Sequence, residues 1–292
     1  MNVQHQEPPV AEEPKSVFGV IVHSFFIVPF LLAVFSVLLY ASVRILTMEN
    51  RTVNDYLEDV KIGGMTKRWQ SAFELSKILS NPKMAPKDTQ FSTEMIRVFE
   101  KSVGDDERVR QYLALAMART GNQDFVPTLI KSASDEKDQN LTAFVYALGI
   151  LKNIQALDVL LPYLKSDDAR VRLVAVMAVG NIGGPKVVSS LKELLNDPEP
   201  NVQWEVAVAL AKNKDNSAVG ILTKLLDRNY LAQFEAVDPE EQTHVMLVAI
   251  ESAANLKNDE IVRRLEDLFK NDKNMKVRNA AFEALEKYKK AS

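Results

Sequence analysis

The sequence predicts an all-α protein: one transmembrane helix, then an α-solenoid of about six helical pairs closed by a terminal helix. Two observations predict it. One is a helical skeleton that returns down the chain. The other is an uncharged apolar run near its start. The skeleton is clearest at Val171–Gly183, VRLVAVMAVGNIG. An apolar residue stands first, often an Arg second, and a small or apolar residue fifth. The ninth is apolar, the tenth small, and the twelfth usually apolar. That spacing lays one wide apolar stripe along an α-helix. The skeleton starts at Lys67, Val109, Asn140, Val171, Val202, Val245 and Val277, in steps of 42, 31, 31, 31, 43 and 32 residues. A helical period near thirty marks stacked helix pairs, each unable to bury its apolar face alone.

The elements follow in order. Residues 1–16 carry Pro8, Pro9, Pro14, Glu7, Glu12 and Glu13 without apolar periodicity, which predicts a disordered polar tail. From Ser16 to Val43 there is no Asp, Glu, Lys or Arg. About 20 apolar residues suffice to cross a bilayer, so residues 17–46 read as a transmembrane helix with Pro29 as a candidate kink. A cleaved signal peptide fits less well. Its leading segment would be acidic here, and its apolar region longer than the usual ~7–15 residues. Lys15 precedes the run, and Arg44, Arg51 and Lys61 follow it. That asymmetry places the C-terminal side in the cytoplasm of an inner-membrane protein, with a periplasmic placement the alternative.

Residues 47–64 read as a juxtamembrane linker and capping helix. Thr52 is its cap, Val53, Tyr56, Leu57 and Val60 share a face, and Gly63-Gly64 ends it. Such a helix covers the open end of a solenoid. The solenoid itself takes residues 65–292. In its fourth unit Gly183-Gly184-Pro185 divides a first helix of about 14 residues from a second of about 12. The two long steps place insertions at 81–90 and 228–239. Insertions in solenoids become loops on one face, often a binding face, so Tyr230 and Phe234 in the second are candidate partner contacts. The competing reading is that these aromatics tuck onto the nearest repeat.

The chain resembles a known repeat type. D-D-x-x-V-R-x-x-A-V-x-A-V-G-N-I-G at 167–183 is similar to the short bacterial HEAT repeat called HEAT-like after phycobilin lyases. DDERVRQYLALAMARTG at 105–121 and KVRNAAFEALEKY at 276–288 follow the same pattern. The resemblance covers about residues 65–292, and Leu141, Gln203 and Met246 depart from it where Arg is usual. It implies a HEAT-like, armadillo-type solenoid. It also implies that Arg68, Arg110, Arg172 and Arg278 bond the Asp of a neighbouring turn. By analogy with such solenoids the second helices line the concave side. Lys131, Pro162, Glu193, Lys224 and Asp267 then form one exposed column for a protein partner. Membrane-anchored bacterial HEAT proteins suggest a transporter or envelope complex as partner class.

Composition narrows the chemistry. Net charge is −3, so no basic field holds a phosphate backbone, and nucleic acid is not an expected partner. There is no cysteine, which removes disulfides and thiolate sites. The clusters Asp105-Asp106-Glu107, Asp135-Glu136-Asp138 and Asp167-Asp168 precede first helices, where carboxylates cap free N–H groups. Deoxyhypusine hydroxylase, a HEAT-repeat di-iron enzyme, binds metal through His-Glu pairs. Here Gln6, Ser24 and Val245 follow the three histidines His5, His23 and His244. Neither HExxH, GxSxG nor a phosphate-binding loop occurs. The expectation is therefore a membrane-anchored, non-enzymatic scaffold with no cofactor or metal. It binds the bilayer through 17–46 and a protein partner through the repeats. The alternatives are a bilin-lyase-like enzyme or ligand-attachment chaperone, and a small-ligand sensor acting through His23 and Pro29.

Overall fold

The computed structural model describes residues 23–47, 51–135, 138–235 and 237–291. The expected tail 1–16, the first residues of the apolar run, Asn50 and Glu136 lie outside them. Among the described residues every regular element is helical. The chain divides into two compact units, Met1–Arg51 and Thr52–Ser292.

In the first unit a π-helical turn, His23–Ile27, leads into α1, Val28–Thr47. Pro29 stands in the first turn of α1, and the π-helical turn runs into it without a break. Phe25–Arg44 has a mean hydropathy of 2.4 and is long and apolar enough to cross a membrane. Its large side chains, Phe26, Phe30, Phe35 and Leu38 among them, are exposed.

The second unit opens on α2, Val53–Ile62. Thr52 and Asp55 form a reciprocal capping box. The Asp55 backbone N–H donates to the Thr52 hydroxyl, and the Thr52 N–H donates to the Asp55 carboxylate at 2.7 Å. Val53, Leu57 and Val60 are buried, so α2 seals the first end of the stack. The first helices of the six repeats are α3 (Met65–Ile78), α5 (Glu107–Arg119), α7 (Leu141–Leu151), α9 (Ala169–Ile182), α11 (Pro200–Lys212) and α14 (Pro239–Ala253). The second helices are α4 (Thr89–Lys101), α6 (Val126–Ala133), α8 (Leu157–Leu160), α10 (Pro185–Lys192), α12 (Val219–Leu225) and α15 (Asp259–Asn271). Between α12 and α14 lies α13, Arg228–Leu231, and α16, Met275–Ala291, closes the stack.

The four central second helices are shorter than the dozen residues expected. Three of them enter through 3-10 turns whose geometry their own caps impose. Asn122, Asn153 and Asp215 accept from the backbone N–H of Asp124, Gln155 and Ser217 at 2.8–3.0 Å. In the third repeat α8 passes into a 3-10 helix, Leu161–Lys165, with Pro162 near its start. Proline has no N–H to continue an α-helical ladder.

Successive first helices pack directly on one another, from α3 through α11, whereas second helices touch one another little. The cause is the pairing of the eighth and tenth skeleton positions. A Cβ added to Gly149 would lie 2.5 Å from the Cα of Ala178, and one added to Gly180 would lie 2.5 Å from the Cβ of Ala209. No larger residue fits between these backbones. In a curved stack the layer with the tighter spacing is the inner one. The first helices therefore line the concave side, which corrects the expectation that the second helices do. The pattern of apolar positions is the same for either layer; the glycine–alanine contacts between repeats decide the curvature.

Gly149→Ala tests this packing. Alanine is favoured over glycine in a helix by about 1 kcal/mol. Overpacking costs about 1–3 kcal/mol, so a net loss is expected. It reads out as a lower denaturant midpoint for the full chain in detergent. Gly220→Ala, whose added Cβ meets nothing within 4 Å, is the control and should hold or raise the midpoint.

Candidate interaction surface

The turns between repeats are tied by arginine–aspartate struts. Arg172 donates from Nε and Nη2 to the two carboxylate oxygens of Asp197 at 2.8 and 2.9 Å, and from Nη1 to the carbonyl of Ser166. One side chain thus holds its own turn and the next. Arg68 does the same with the Val60 carbonyl and Asp105, at 2.7 and 2.5 Å. Arg110 reaches Asp138 at 3.5 Å and the Phe99 carbonyl at 3.2 Å, and its guanidinium lies over the Phe99 and Phe144 rings. Arg68, Arg110 and Arg172 are struts, as the resemblance implied, whereas Arg278 donates to the Asp272 carbonyl of its own turn at 2.6 Å.

At two of the three positions where the column lacks arginine, another side chain takes over part of the role. Gln203 donates to the Asp197 carbonyl at 2.6 Å. Met246 cannot reach Asp272, and Arg228 of the second insertion takes its place, bidentate at 2.7 and 2.9 Å. The insertion is therefore anchored rather than a free loop. Its aromatics are anchored too. Phe234 meets the Trp204 ring edge-on at 4.9 Å and the Tyr230 ring at 5.3 Å, and the Trp204 indole N–H donates to the Tyr230 hydroxyl at 3.4 Å. Tyr230 and Phe234 are half-buried, and Trp204 is buried. Trp69 packs under the Arg108 guanidinium at 4.3 Å.

The acidic clusters do capping work. Asp106 and Asp168 accept from the N–H groups of Arg108 and Arg170. Among the described residues no group of three or more metal-ligating side chains is placed to hold an ion.

The five residues of the expected column, Lys131, Pro162, Glu193, Lys224 and Asp267, are all exposed. They lie in the second-helix layer, and hence on the outer side. Glu193 pairs with Lys165 at 3.4 Å, and Asp267 accepts from Asn271 at 2.7 Å. The inner face is built from other positions, the fourth, seventh and eleventh of the skeleton. Across α5, α7 and α9 these include Tyr112, Ala143, Tyr146, Ile150, Val174 and Met177, each half-buried or exposed. Farther on, α14 and α16 border a shallow groove lined by Leu247, Ile250, Ala254 and Ala280 with Glu251 and Lys287. Sequence reasoning passed over this face because it was assigned to the convex side.

The family model for HEAT repeats matches residues 99–172 and 157–238. The solenoid is built of HEAT repeats. No curated protein sequence matches the chain. Among solved structures the HEAT solenoid is similar to the complex of CpcE and CpcF of phycocyanin lyase from Nostoc sp.. Identity there is 18%, coverage 82% of this chain and 96% of that one, and the TM-score 0.54. YibA of Escherichia coli aligns at 19% identity over 84% of this chain and 85% of its own, with a TM-score of 0.49. A designed armadillo repeat protein aligns at 19% over 80% and 99%, with a TM-score of 0.40. HEAT and armadillo repeats generally mediate protein–protein interaction, which makes a protein-binding surface the coarse functional reading of this fold.

The struts carry a pH dependence. Burial pushes the Asp197 carboxyl up. The Arg172 hydrogen bonds, the Glu199 N–H and the Arg172 charge outweigh it and leave the group below the usual carboxylate value. Asp272 is likewise held low by Arg228 and the Asn274 N–H against its burial. A carboxyl depressed in the folded state lends stability above its unfolded value, and this is lost as pH falls through the folded value. Arg172→Met leaves Asp197, whose side chain is 5% exposed, without its cation. The expected cost at neutral pH is about 3–5 kcal/mol in denaturant melts. The gap to wild type should narrow below about pH 4, as the carboxyl protonates.

Proposed function

We propose that this HEAT protein is a bilayer-tethered, non-catalytic scaffold that holds a protein partner on its solenoid, at a transporter or envelope complex. One observation carries the tether: a helix of mean hydropathy 2.4 whose large apolar side chains are exposed along its length. Exposed in water, such a surface is unfavourable at about 25 cal/mol per Å². In lipid it is satisfied. The partner reading is supported by the way the stack spends its residues. Apolar columns go into packing between repeats, arginines into struts, and acidic residues into caps. What remains for recognition is surface. Tethering confines that surface to two dimensions and raises its effective concentration at a membrane assembly. Bilin attachment is a weaker reading, since an 18% likeness to CpcE and CpcF concerns the fold alone.

The full-length protein is expected to stay in the membrane pellet after alkaline carbonate extraction. Deletion of 17–46 should release it. Protease added to intact spheroplasts should leave the repeats whole if they are cytoplasmic. A mature chain beginning after residue 46 would remove the tether, and a detergent extract that yields no stoichiometric partner would remove the scaffold.

A further inference from the structure

The two long edges of the stack differ in charge. One holds the turns between repeats, with the struts and the acidic clusters. The other holds the turns within repeats, from first helix to second. Contacts between neighbours align these within-repeat turns: Asn153 donates to the Gln123 side-chain oxygen at 2.9 Å, Lys186 lies 3.5 Å from Asp158, and Asn213 donates to the Gly180 carbonyl at 3.1 Å. Along the first five repeats this edge carries Lys83, Lys87, Lys152, Lys186, Lys212 and Lys214, all exposed. Of the six, Lys186 alone makes an ion pair among the described residues. Lys152 and Lys214 hold left-handed backbone, at φ 53° and 59°, where the second and fourth repeats place Gly121 and Gly183. Glycine would be the easier residue at both. The carboxylates of this edge are largely engaged. Asp88 accepts the Phe91 N–H at 2.7 Å, Glu74 pairs with Lys77 at 3.6 Å, and Asp215 lies 2.8 Å from Lys192. Asp55 is committed to its capping box, which leaves Asp124 among the described residues. In the sixth repeat Asp259 and Glu260 stand beside Lys257, and the basic run ends.

The tether joins the solenoid at this same edge. α2 runs beside α4: Asn54 and Asp88 line one cleft near its start, and farther along Lys61 lies 3.0 Å from Glu94. Thr52 is therefore next to the within-repeat turn at 79–88. α1 ends at Thr47, and five residue steps reach at most about 18 Å. To turn the opposite edge to lipid, that link would have to run most of the way along α2, about 15 Å. It would also set the acidic clusters on the headgroups. Exposed apolar side chains do not choose between the edges, since Met84 and Ile154 stand on one and Ile62, Met65 and Val103 on the other. Charge and linkage do.

We propose that the within-repeat edge of the first five repeats lies on anionic lipid headgroups, with Lys83, Lys87 and Lys152 paired to lipid phosphates and Met84 and Ile154 entering the interface. The proposal rests on the tether reading and deepens it. Lysines attract an anionic lipid surface only within about a Debye length, and the short link holds them in that range. The strut edge is then turned away from the bilayer, and both helical layers stay open to a protein partner.

The chain has no cysteine, so Met84→Cys, Ile154→Cys and Val103→Cys each give a single labelling site. The full chain carrying a polarity-sensitive dye at one of them is placed in nanodiscs of phosphatidylcholine, with or without phosphatidylglycerol. In anionic discs the dye at 84 or 154 is expected to shift to the blue and to be quenched by doxyl-labelled lipid, while the dye at 103 does neither. The shift should be lost in discs of phosphatidylcholine alone, and at about 1 M salt, where the Debye length falls to about 3 Å. The triple variant Lys83→Glu, Lys87→Glu, Lys152→Glu should lose it with the melting curve unchanged, and the same three changed to Arg should keep it. If the triple variant folds poorly, the lipid and salt arms decide without it. A dye at 154 that stays in water in anionic discs, or shifts equally without phosphatidylglycerol, would overturn the proposal and leave the tether reading in place. So would a blue shift at 103, or photocrosslinking of residue 154 to a co-purified protein instead of lipid. A chain that fails to enter the discs would overturn both readings.

Discussion

The contact between glycine and alanine backbones of adjacent repeats is the constraint on which the rest of this solenoid depends. Gly149 against Ala178 and Gly180 against Ala209 bring first helices closer than any larger side chain would permit. The second helices touch one another little. Curvature, the identity of the inner face and the crowding of its side chains all descend from this difference in spacing. The helix ends then find partners across the same gap. Asn213 donates to the Gly180 carbonyl at 3.1 Å, Arg119 to that of Ser76 at 2.7 Å, and Tyr288 to that of Ala253 at 2.7 Å. Carbonyls that a helix leaves orphaned are satisfied by the next repeat.

Polar side chains in the turns complement that apolar layer. Arg68, Arg110 and Arg172 are shielded enough for their bonds to count, and each is offered both a carboxylate and a carbonyl. The strut network survives gaps in its own column. Gln203 keeps the half of the role that needs only a carbonyl. Arg228 supplies the carboxylate half for Asp272 from an insertion whose aromatics close over Trp204.

Much of this was legible in the residues. The period, the boundary helices, the capping box at Thr52 and the capping role of the acidic clusters are local or periodic properties, and sequence spacing carries them directly. The curvature was not legible, because it depends on which small residues of one repeat face those of another. That is a distance between non-adjacent segments, and position in a repeat does not report it. The central second helices came out short because Asn122, Asn153 and Asp215 bend their first turn into 3-10 geometry, a competition between cap and ladder that an apolar stripe does not register.

Because each repeat contacts only its neighbours, the stack's extent is a quantity that changes in whole rungs. Three consecutive steps of 31 residues separate Val109 from Val202, so excising one such rung rejoins equivalent positions of the skeleton. Lengthening or trimming the protein in evolution thus needs no new fold, only duplication or loss at this period. Each rung gained or lost changes the length of the stack's exposed surface by the same increment.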